Sequence, residues 1–247
     1  MDFEGHVLRL QRSLKELGHT YEPDMEEFLQ IHRTLTKLNN LEEGIVYVQV
    51  TRGVAVDRSF TVGDVTLSPS PTVMAMTQSM NLVDNPLAEK GIRVKTVPDL
   101  RWKRCDIKTT QLLYQSLAKQ QALDAGVDDA WMVEPNGLVT EGSSNNAWIV
   151  TKDNVLLTRP CGNDILSGIT RATVMRLLNE KLSLQFQERA FTVLEAQDAA
   201  EAFSTSSSAF VMPVIELDGE QIGDGTPGPL TRRLRQIYIE ESRQFAI

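Results

Sequence analysis

The sequence predicts a mixed α/β (α+β) chain in two parts, and three observations support this prediction. Segments with helical periodicity alternate with segments rich in β-branched and aromatic residues, as in mixed folds. The 247 residues, 41% of them hydrophobic, suffice for one large domain or two modest ones. A polar stretch that contains a proline, residues 81–90, is typical of a linker. We therefore expect a small N-terminal domain over residues 1–80 and a larger, β-rich domain with flanking helices over residues 91–247.

The N-terminal part is predicted to contain two helices followed by two strands. A helix over residues 4–17 has one apolar face and ends at Gly18, and a second helix covers residues 24–38. The segments IVYVQVT (45–51) and PTVMAMT (71–77) have the composition of strands.

The C-terminal part is predicted to interleave six strands with four helices. The strands are expected at 91–97, 129–134, 146–151, 154–158, 184–192 and 209–217. The helices are expected at 109–125, 168–181, 193–203 and 229–243.

Charge and composition exclude several classes of function. A net charge of −8 argues against a nucleic-acid or anionic-membrane surface, so neither partner is expected. No apolar run approaches the roughly 20 residues that span a bilayer, and no signal-peptide core precedes the first helix, so a cytoplasmic location is expected. The two cysteines are too few for a disulfide framework, and the three histidines lack metal-ligand spacing. No metal site is expected.

Lys108 is the first candidate for chemistry. It lies in the segment RWKRCDIKTTQLLYQS, where a strand is predicted to give way to a helix that Thr109 and Thr110 can cap. Leu113 and Leu117 give that helix an apolar side. An ordinary surface lysine is the common alternative, and only the company of other polar motifs favours a chemical role.

A second motif, LVTEGSSNNAWIV (138–150), contains an isolated acid, Glu141, followed by two serines and two asparagines. Taken alone, this pattern is most often a hairpin with a polar turn. The cluster nevertheless supplies more hydrogen-bond donors and acceptors than a turn requires.

Two further segments can bind an anion. In ILSGITRATVMRLL (165–178), Ile169 and Thr170 occupy the first turn of a predicted helix, where backbone N–H groups and a hydroxyl can hold a phosphate. Plain capping by Ser167 is the structural alternative. In STSSSAFVMPV (204–214), a run of hydroxyls precedes a strand and forms either a loop or a second anion-binding edge.

Together these motifs supply the parts that pyridoxal 5′-phosphate (PLP) requires. A lysine can bind the cofactor aldehyde covalently, a carboxylate can pair with the ring nitrogen, and a helix N-terminus can hold the phosphate. Burial beside the cationic cofactor is expected to make the amine of Lys108 nucleophilic.

The chain resembles the fold-type IV PLP enzymes, and within them the D-amino-acid transaminase branch of the branched-chain aminotransferase and aminodeoxychorismate lyase superfamily. RCDIKTTQLL resembles the lysine segment of that branch, EGSSNNAWIV its glutamate segment, and SGITR its phosphate-helix segment. FEGHVLRLQRSL is similar to the helix whose arginine reaches the phosphate. The resemblance implies a two-domain fold and transfer of an amino group from a D-amino acid to a 2-oxo acid.

The resemblance also implies the roles of individual residues. Lys108 is the expected catalytic residue, and Arg58, after the TRG turn, is the expected ligand of the substrate carboxylate. The expected cofactor-binding residues are Arg9, Lys108, Glu141, Ser144, Asn145, Leu166, Gly168, Ile169, Thr170, Ser206 and Ser207.

Three readings of the function remain open on sequence alone. The chain is a D-amino-acid transaminase; or an (R)-amine or branched-chain transaminase or an aminodeoxychorismate-type lyase on the same scaffold; or a truncated, non-catalytic relative. The resemblance implies a homodimer, and it implies about three strands before the FEGH helix, which are expected to be missing here.

Overall fold

The computed structural model describes residues 2–54, 70–182 and 184–244. Contacts divide this chain into two compact units, one formed by Phe3–Leu82 and the other by the described residues from Val83 onward together with Asp2. Each unit has its own secondary structure, and together they confirm the mixed α/β class predicted from the sequence.

The first unit contains two helices and a two-stranded antiparallel sheet. Its elements are α1 (Phe3–Glu16), α2 (Met25–Leu38), β1 (Gly44–Thr51) and β2 (Thr72–Ser79). Asp24 caps α2, because its side chain accepts a hydrogen bond from the Glu27 backbone N–H at 2.8 Å. Val7, Leu14 and Phe28 are the buried hydrophobic residues of the two helices.

The second unit contains the remaining elements. They are α3 (Pro86–Lys90), β3 (Ile92–Pro98), α4 (Leu113–Asp124), β4 (Asp129–Val133), β5 (Val139–Gly142), β6 (Asn146–Val150), β7 (Leu156–Thr158), α5 (Ile169–Leu177), a π-helical turn (Leu178–Leu182), β8 (Phe186–Glu188), α6 (Val193–Gln197), β9 (Glu201–Ser206), β10 (Phe210–Leu217), β11 (Glu220–Gln221) and α7 (Pro229–Gln244).

A single mixed sheet organises this unit. Its strand order is β5-β4-β3-β10-β9-β6-β7-β8, with β11 paired to β10. The pairs β3–β4, β3–β10 and β7–β8 are parallel, and the others are antiparallel. Although β5 and β6 lie far apart in this order, a side chain of β6 bonds to one of β5 at 2.9 Å. The sheet is therefore curled, and its concave part brings these two strands together.

Large aromatic residues fill the core of the sheet. Trp148 stacks on Phe203 with ring centroids 5.4 Å apart, and its indole N–H donates to the hydroxyl of Thr205 at 3.0 Å. The indole N–H of Trp131 donates to the hydroxyl of Ser204 at 3.1 Å. Each buried indole thus has a partner, and the hydroxyl-rich end of β9 is fixed against β4 and β6.

Helix α4 begins later than predicted and packs with the opposite side. It begins at Leu113, after a cap residue that makes no side-chain cap bond, so Thr109 and Thr110 do not cap it. Ala118 and Ala122 are its buried residues, whereas Leu113 is 74% exposed. Small alanines allow close approach to β3 and β4, and this packing overrides the leucine periodicity.

The region after α5 also differs from the prediction. The strand expected over 184–192 has only three residues, and the helix expected over 193–203 ends at Gln197 and gives way to β9. Thr192 and Glu195 form a capping box that starts α6. β9 pairs on both sides, with β6 and β10, so sheet pairing overrides the helical propensity of its alanine-containing sequence.

The predicted linker, residues 81–90, contains α3, whose N-cap Asn85 accepts a hydrogen bond from the Leu87 backbone N–H at 3.0 Å. The division between the units falls between Leu82 and Val83. No helix in the described part of the chain has the length and apolar content needed to cross a bilayer.

Candidate active site

Glu141 lies on β5 and is buried, rather than in the polar turn that its sequence context favours. Its Oε2 accepts hydrogen bonds from the side-chain amide of Asn146 at 2.9 Å and from the backbone N–H of Leu166 at 3.1 Å. Its Oε1 accepts one from Nη1 of Arg101. A carboxylate can accept about four hydrogen bonds, two on each oxygen. These three donors fill both positions on Oε2 and one on Oε1, so one acceptor position on Oε1 remains.

Burial raises the pKa of Glu141 to about 7, because the charged form loses its hydration. Arg101 and the Leu166 N–H oppose this effect without cancelling it. A buried carboxylate in this state gains from an additional N–H donor that carries positive charge. The protonated ring nitrogen of PLP is such a donor.

Arg101 is a central contact of this site that the sequence reasoning missed. Its Nε and Nη2 atoms donate to the two carboxylate oxygens of Asp99 at 3.0 and 2.7 Å, and Nη2 also donates to the backbone carbonyl of Asp164 at 3.0 Å. Burial and the two carboxylates have opposite effects on the pKa of Arg101, and the carboxylates win and raise it. The only sequence signal was a charged residue between two segments predicted to be regular.

The asparagine that contacts Glu141 is Asn146, not one of the two turn residues named from the sequence. Asn146 also donates to the carbonyl of Leu166 at 2.9 Å. Ser144 is exposed, and the side chain of Asn145 donates to Asp129 at 2.8 Å. The SSNN cluster contains the asparagine that bonds to Glu141, and the alternation of side chains along β6 is what distinguishes it from Asn145.

Leu166 contributes its backbone to the site. Its N–H bonds to Glu141 and its carbonyl to Asn146, so the loop before α5 is attached to both strands. Packing of the Leu166 side chain against the cofactor ring stays a prediction.

The N-terminus of α5 lies directly beside these residues. Gly168 is its N-cap, so Ser167 does not take the N-cap position that the sequence suggested. A Cβ atom on Gly168 would lie 2.0 Å from Oδ1 of Asn146, so only glycine fits here without a shift. Ile169 and Thr170 form the first turn as predicted, and the buried Thr170 hydroxyl lies 3.3 Å from the hydroxyl of Tyr238.

The serine-rich turn after β9 lies next to the start of β6. Thr205 pairs with Asn146 in the sheet, and the hydroxyl of Ser206 accepts a hydrogen bond from the Ala209 N–H at 3.2 Å. The turn ends at Phe210, whose φ of +60° is uncommon for a bulky side chain. Helix α5 packs against β9. The structure therefore places the α5 N-terminus and the strand leading into this turn on the same part of the unit.

Lys108 lies on the irregular segment between β3 and α4 and its side chain is exposed. The burial expected for Lys108 is therefore not found in the described chain. Asp106 and Ile107, just before it, are buried and fix the segment. The backbone N–H of Cys105 donates to the carbonyl of Asn163 at 2.8 Å, which ties the lysine segment to the loop that carries Leu166.

Two of the predicted ligands are not among the described residues of this unit. Arg9 is on α1 in the first unit, where burial lowers its pKa to about 10 and its Nη2 lies 3.4 Å from Nδ1 of His6. Its approach to the phosphate stays a prediction. Arg58 lies outside the described residues.

These residues fit PLP by their chemistry. A buried carboxylate retains one acceptor position for a ring N–H, and a helix N-terminus without a side-chain cap supplies donors for a phosphate. Serine hydroxyls follow at the neighbouring turn, and a lysine lies on a segment tied to the same loop.

Comparisons with known proteins agree with this chemistry. The family model described as "Amino-transferase class IV" matches residues 1–217. A D-alanine aminotransferase of Staphylococcus aureus is 40% identical over 240 residues, which cover 95% of this chain and 82% of that protein.

Two solved structures are also similar. The branched-chain aminotransferase of the thermophilic archaeon Thermoproteus uzoniensis, determined with norvaline, has a TM-score of 0.82 and 27% identity, covering 97% of this chain and 78% of that one. The branched-chain enzyme of Escherichia coli has a TM-score of 0.84 at 23% identity and covers 97% and 79% of the two chains. The second likeness concerns the fold alone.

Proposed function

We propose that this chain, which belongs to the amino-transferase class IV family of PLP-dependent enzymes, is a D-amino-acid transaminase. It transfers the amino group of a D-amino acid such as D-alanine to a 2-oxo acid such as 2-oxoglutarate. Amino acids and 2-oxo acids are the substrates of this family. The preference for a D-amino acid rests on the relatives named D-alanine aminotransferase, at about 40% identity over 95% of the chain.

The single structural observation that supports this function is the buried carboxylate of Glu141 with one acceptor position left on Oε1. PLP, when bound, supplies an electron sink for the Cα carbanion of the substrate. Glu141 keeps a proton on the ring nitrogen, which that sink requires. Arg101, Asn146 and the Leu166 N–H hold the carboxylate in place for this role.

The other residues bind the phosphate and move a proton. The N-terminal N–H groups and hydroxyl at Ile169 and Thr170 donate to the phosphate, together with Ser206 or Ser207 and Arg9. The amine of Lys108 holds the cofactor and then carries a proton to and from the substrate Cα. In this proposal Arg58 binds the substrate carboxylate.

The decisive experiment is an assay with D-alanine and 2-oxoglutarate that couples pyruvate to lactate dehydrogenase. We expect pyruvate and glutamate to form in equal amounts and only when both substrates are present. L-alanine, L-leucine and (R)-1-phenylethylamine serve as alternative donors, and aminodeoxychorismate without a 2-oxo acid tests the lyase reaction. Turnover of L-leucine or of the amine in preference to D-alanine, or pyruvate from aminodeoxychorismate alone, would replace the D-amino-acid proposal.

The proposal includes a homodimer in the cytoplasm. The leucines that α4 exposes, Leu113 and Leu117, are four residues apart on one side of the helix, and they support the dimer as a candidate subunit contact. Sedimentation velocity on the purified holoenzyme measures the mass directly, and a monomer at assay concentration would contradict the dimer. Cell fractionation tests the location.

A further inference from the structure

Three charged side chains of the candidate site lie together, and all are nearly buried. Arg101 is 4% exposed, Asp99 is 10% exposed and Glu141 is 7% exposed. Two carboxylates share one guanidinium, so the set carries a net charge of −1 when all three residues are ionised. An uncompensated buried charge is costly, so this set is matched to one additional positive group.

We propose that Asp99 is a positioning residue: it holds Arg101 so that one lone pair and one net negative charge of the buried set remain for the ring nitrogen of the cofactor. The inference rests on the proposed function and extends it to a residue with no contact to the cofactor.

The geometry of Arg101 supports the positioning role. Asp99 binds the guanidinium through its Nε–Nη2 edge at 3.0 and 2.7 Å, which leaves Nη1 to face Glu141. A guanidinium edge matches both oxygens of a carboxylate. Without the Asp99 carboxylate, Arg101 is free to bind Glu141 through two N–H groups and to occupy the acceptor position on Oε1.

Asp99 is itself fixed for this task. The hydroxyl of Thr140 donates to its Oδ2 at 2.7 Å, and the backbone N–H of Arg101 donates to its Oδ1 at 3.1 Å. Thr140 precedes Glu141 on β5, so the same strand positions both carboxylates. The backbone carbonyl of Asp164 accepts a hydrogen bond from Nη2 of Arg101 at 3.0 Å, which further restrains the guanidinium.

The charge balance leads to the same conclusion. With Asp99 ionised, the set and a protonated ring nitrogen sum to zero. In Asp99→Asn the charges of Arg101 and Glu141 cancel. A protonated cofactor ring would then bring a positive charge into a buried site with no negative charge to balance it. The protonated ring is thereby disfavoured, although Glu141 is unchanged.

The test compares two cofactors in the full-length protein: PLP and 1-deaza-PLP, in which a C–H group replaces the ring nitrogen. We expect Asp99→Asn to weaken PLP binding roughly tenfold, the order of one charge-assisted hydrogen bond, and to change binding of the deaza analogue less than twofold. The ¹⁵N chemical shift of bound, labelled PLP provides a second readout, and it should move towards the unprotonated ring in the variant.

Glu201→Gln is the matched control. Glu201 is also a buried carboxylate of the same unit, and it accepts hydrogen bonds from the Leu230 and Thr231 N–H groups without contacting Arg101. Its substitution is expected to lower stability without separating the two cofactors. If Asp99→Asn does not fold, Thr140→Val is the alternative variant, because it removes one hydrogen-bond donor to Asp99. It should also weaken binding of PLP more than binding of 1-deaza-PLP, but by a smaller factor.

Two results would overturn the inference: equal weakening of both cofactors by Asp99→Asn, or no weakening of either. Glu141→Gln, measured in parallel, separates this failure from failure of the proposed function. If Glu141→Gln discriminates between the cofactors and Asp99→Asn does not, only the role of Asp99 is wrong. If neither discriminates, the ring nitrogen does not bind at Glu141 and the proposed site is wrong as well.

Discussion

The glutamate end and the lysine end of the candidate site are built by different means. At the glutamate end, buried charged and amide side chains from β5, β6 and the segment after β3 bond to one another in the protein alone. At the lysine end, Lys108 projects from an irregular segment and is exposed, although its two preceding residues are buried. A preorganised network contributes to both folding and binding, whereas an exposed side chain contributes little to stability. Substitutions at the two ends should therefore separate activity from stability.

Replacing Lys108 should give the largest loss of activity and a small loss of stability. Lys108→Ala removes the amine that holds the cofactor and moves the proton, so kcat should fall by more than about a thousandfold, as for other covalent nucleophiles. Because the side chain is exposed, the free energy of unfolding of the cofactor-free protein should change by less than about 1 kcal/mol. Steady-state kinetics and urea unfolding measure both quantities.

Lys103→Ala is the control for Lys108, because Lys103 is exposed on the same segment. It should retain activity and cofactor. Borohydride reduction followed by peptide mapping should fix PLP on the peptide that contains Lys108. Turnover by Lys108→Ala, or cofactor fixed elsewhere, would show that the lysine assignment is wrong.

Replacing Glu141 should affect both kcat and the free energy of unfolding. Glu141→Gln fills the same space but cannot hold a proton on the ring nitrogen, so kcat should fall on the order of a hundredfold while PLP stays bound. Rapid-mixing absorbance measurements should place the loss in proton transfer rather than in substrate binding. A decrease in kcat of only a few-fold would show that Glu141 has a structural role and does not act on the ring nitrogen.

The same substitution should change how stability depends on pH. Burial raises the pKa of Glu141 from 4.5 to about 7 in the folded chain. Between these values the unfolded chain releases a proton that the folded chain retains, so this group's contribution to stability is present below pH 4.5 and is lost as pH rises to about 7. Unfolding of the cofactor-free proteins should show wild type losing stability relative to Glu141→Gln over this window, by at most about 1.4 kcal/mol per pH unit. A constant difference would contradict the raised pKa.

The sequence predicted the class of fold, the family and the cofactor better than it predicted the network behind the site. The fold-type IV prediction is confirmed by the family model and by the similarity to solved aminotransferase structures, and dependence on PLP is confirmed as a property of that family. Asp99 and Arg101 carried no periodic or motif signal, since their importance comes from a contact across 40 residues of sequence, between Arg101 and Glu141. The segment after β3 and strand β5 come together because both β3 and β5 pair with β4, and local patterns do not encode that pairing.

Local sequence patterns failed most clearly where tertiary packing decided the outcome. The leucines of α4 predicted a buried leucine face, yet Ala118 and Ala122 are buried against the sheet. The alanine-containing segment 198–203 predicted helix, yet pairing on both sides makes β9 a strand. Helix boundaries marked by a capping residue were predicted more accurately. Asp24, for example, caps α2, which begins at Met25.

Gly168 lies between the glutamate end and the N-terminus of α5, the proposed phosphate site and here called the phosphate end, and its substitution should damage both moderately. In Gly168→Ala the new Cβ would meet Oδ1 of Asn146 at 2.0 Å, so the Asn146 amide, which also bonds to Glu141, must shift. Overpacking of this kind costs about 1–3 kcal/mol, and PLP affinity should fall with it. Gly162→Ala is the control, because a Cβ there has no neighbour within 4 Å among the described residues. Thermal unfolding that is equal for the two variants would show that the site tolerates the shift.

The smallest expected effect tests whether the phosphate end depends on a side chain outside it. Tyr238, on α7, is buried, and its hydroxyl lies 3.3 Å from the hydroxyl of Thr170 and also faces Asp2. Burial raises the pKa of Tyr238, so the phenol stays a donor at neutral pH. If it donates to Thr170, the threonine hydrogen is left to donate to the phosphate. Tyr238→Phe should then weaken PLP binding by about two- to fivefold, the order of one neutral hydrogen bond, and leave binding of pyridoxal unchanged.

The opposite hydrogen-bond direction gives the opposite result. If Thr170 donates to Tyr238, while Tyr238 donates to Asp2, removal of the phenol hydroxyl releases the threonine hydrogen and PLP binding is unchanged or tighter. Tyr114→Phe is the control, because the Tyr114 hydroxyl donates to the carbonyl of Pro98 and not to α5. Measuring PLP and pyridoxal dissociation constants for both variants isolates the phosphate contribution, since pyridoxal lacks the phosphate and any general loosening of the fold would weaken both ligands equally.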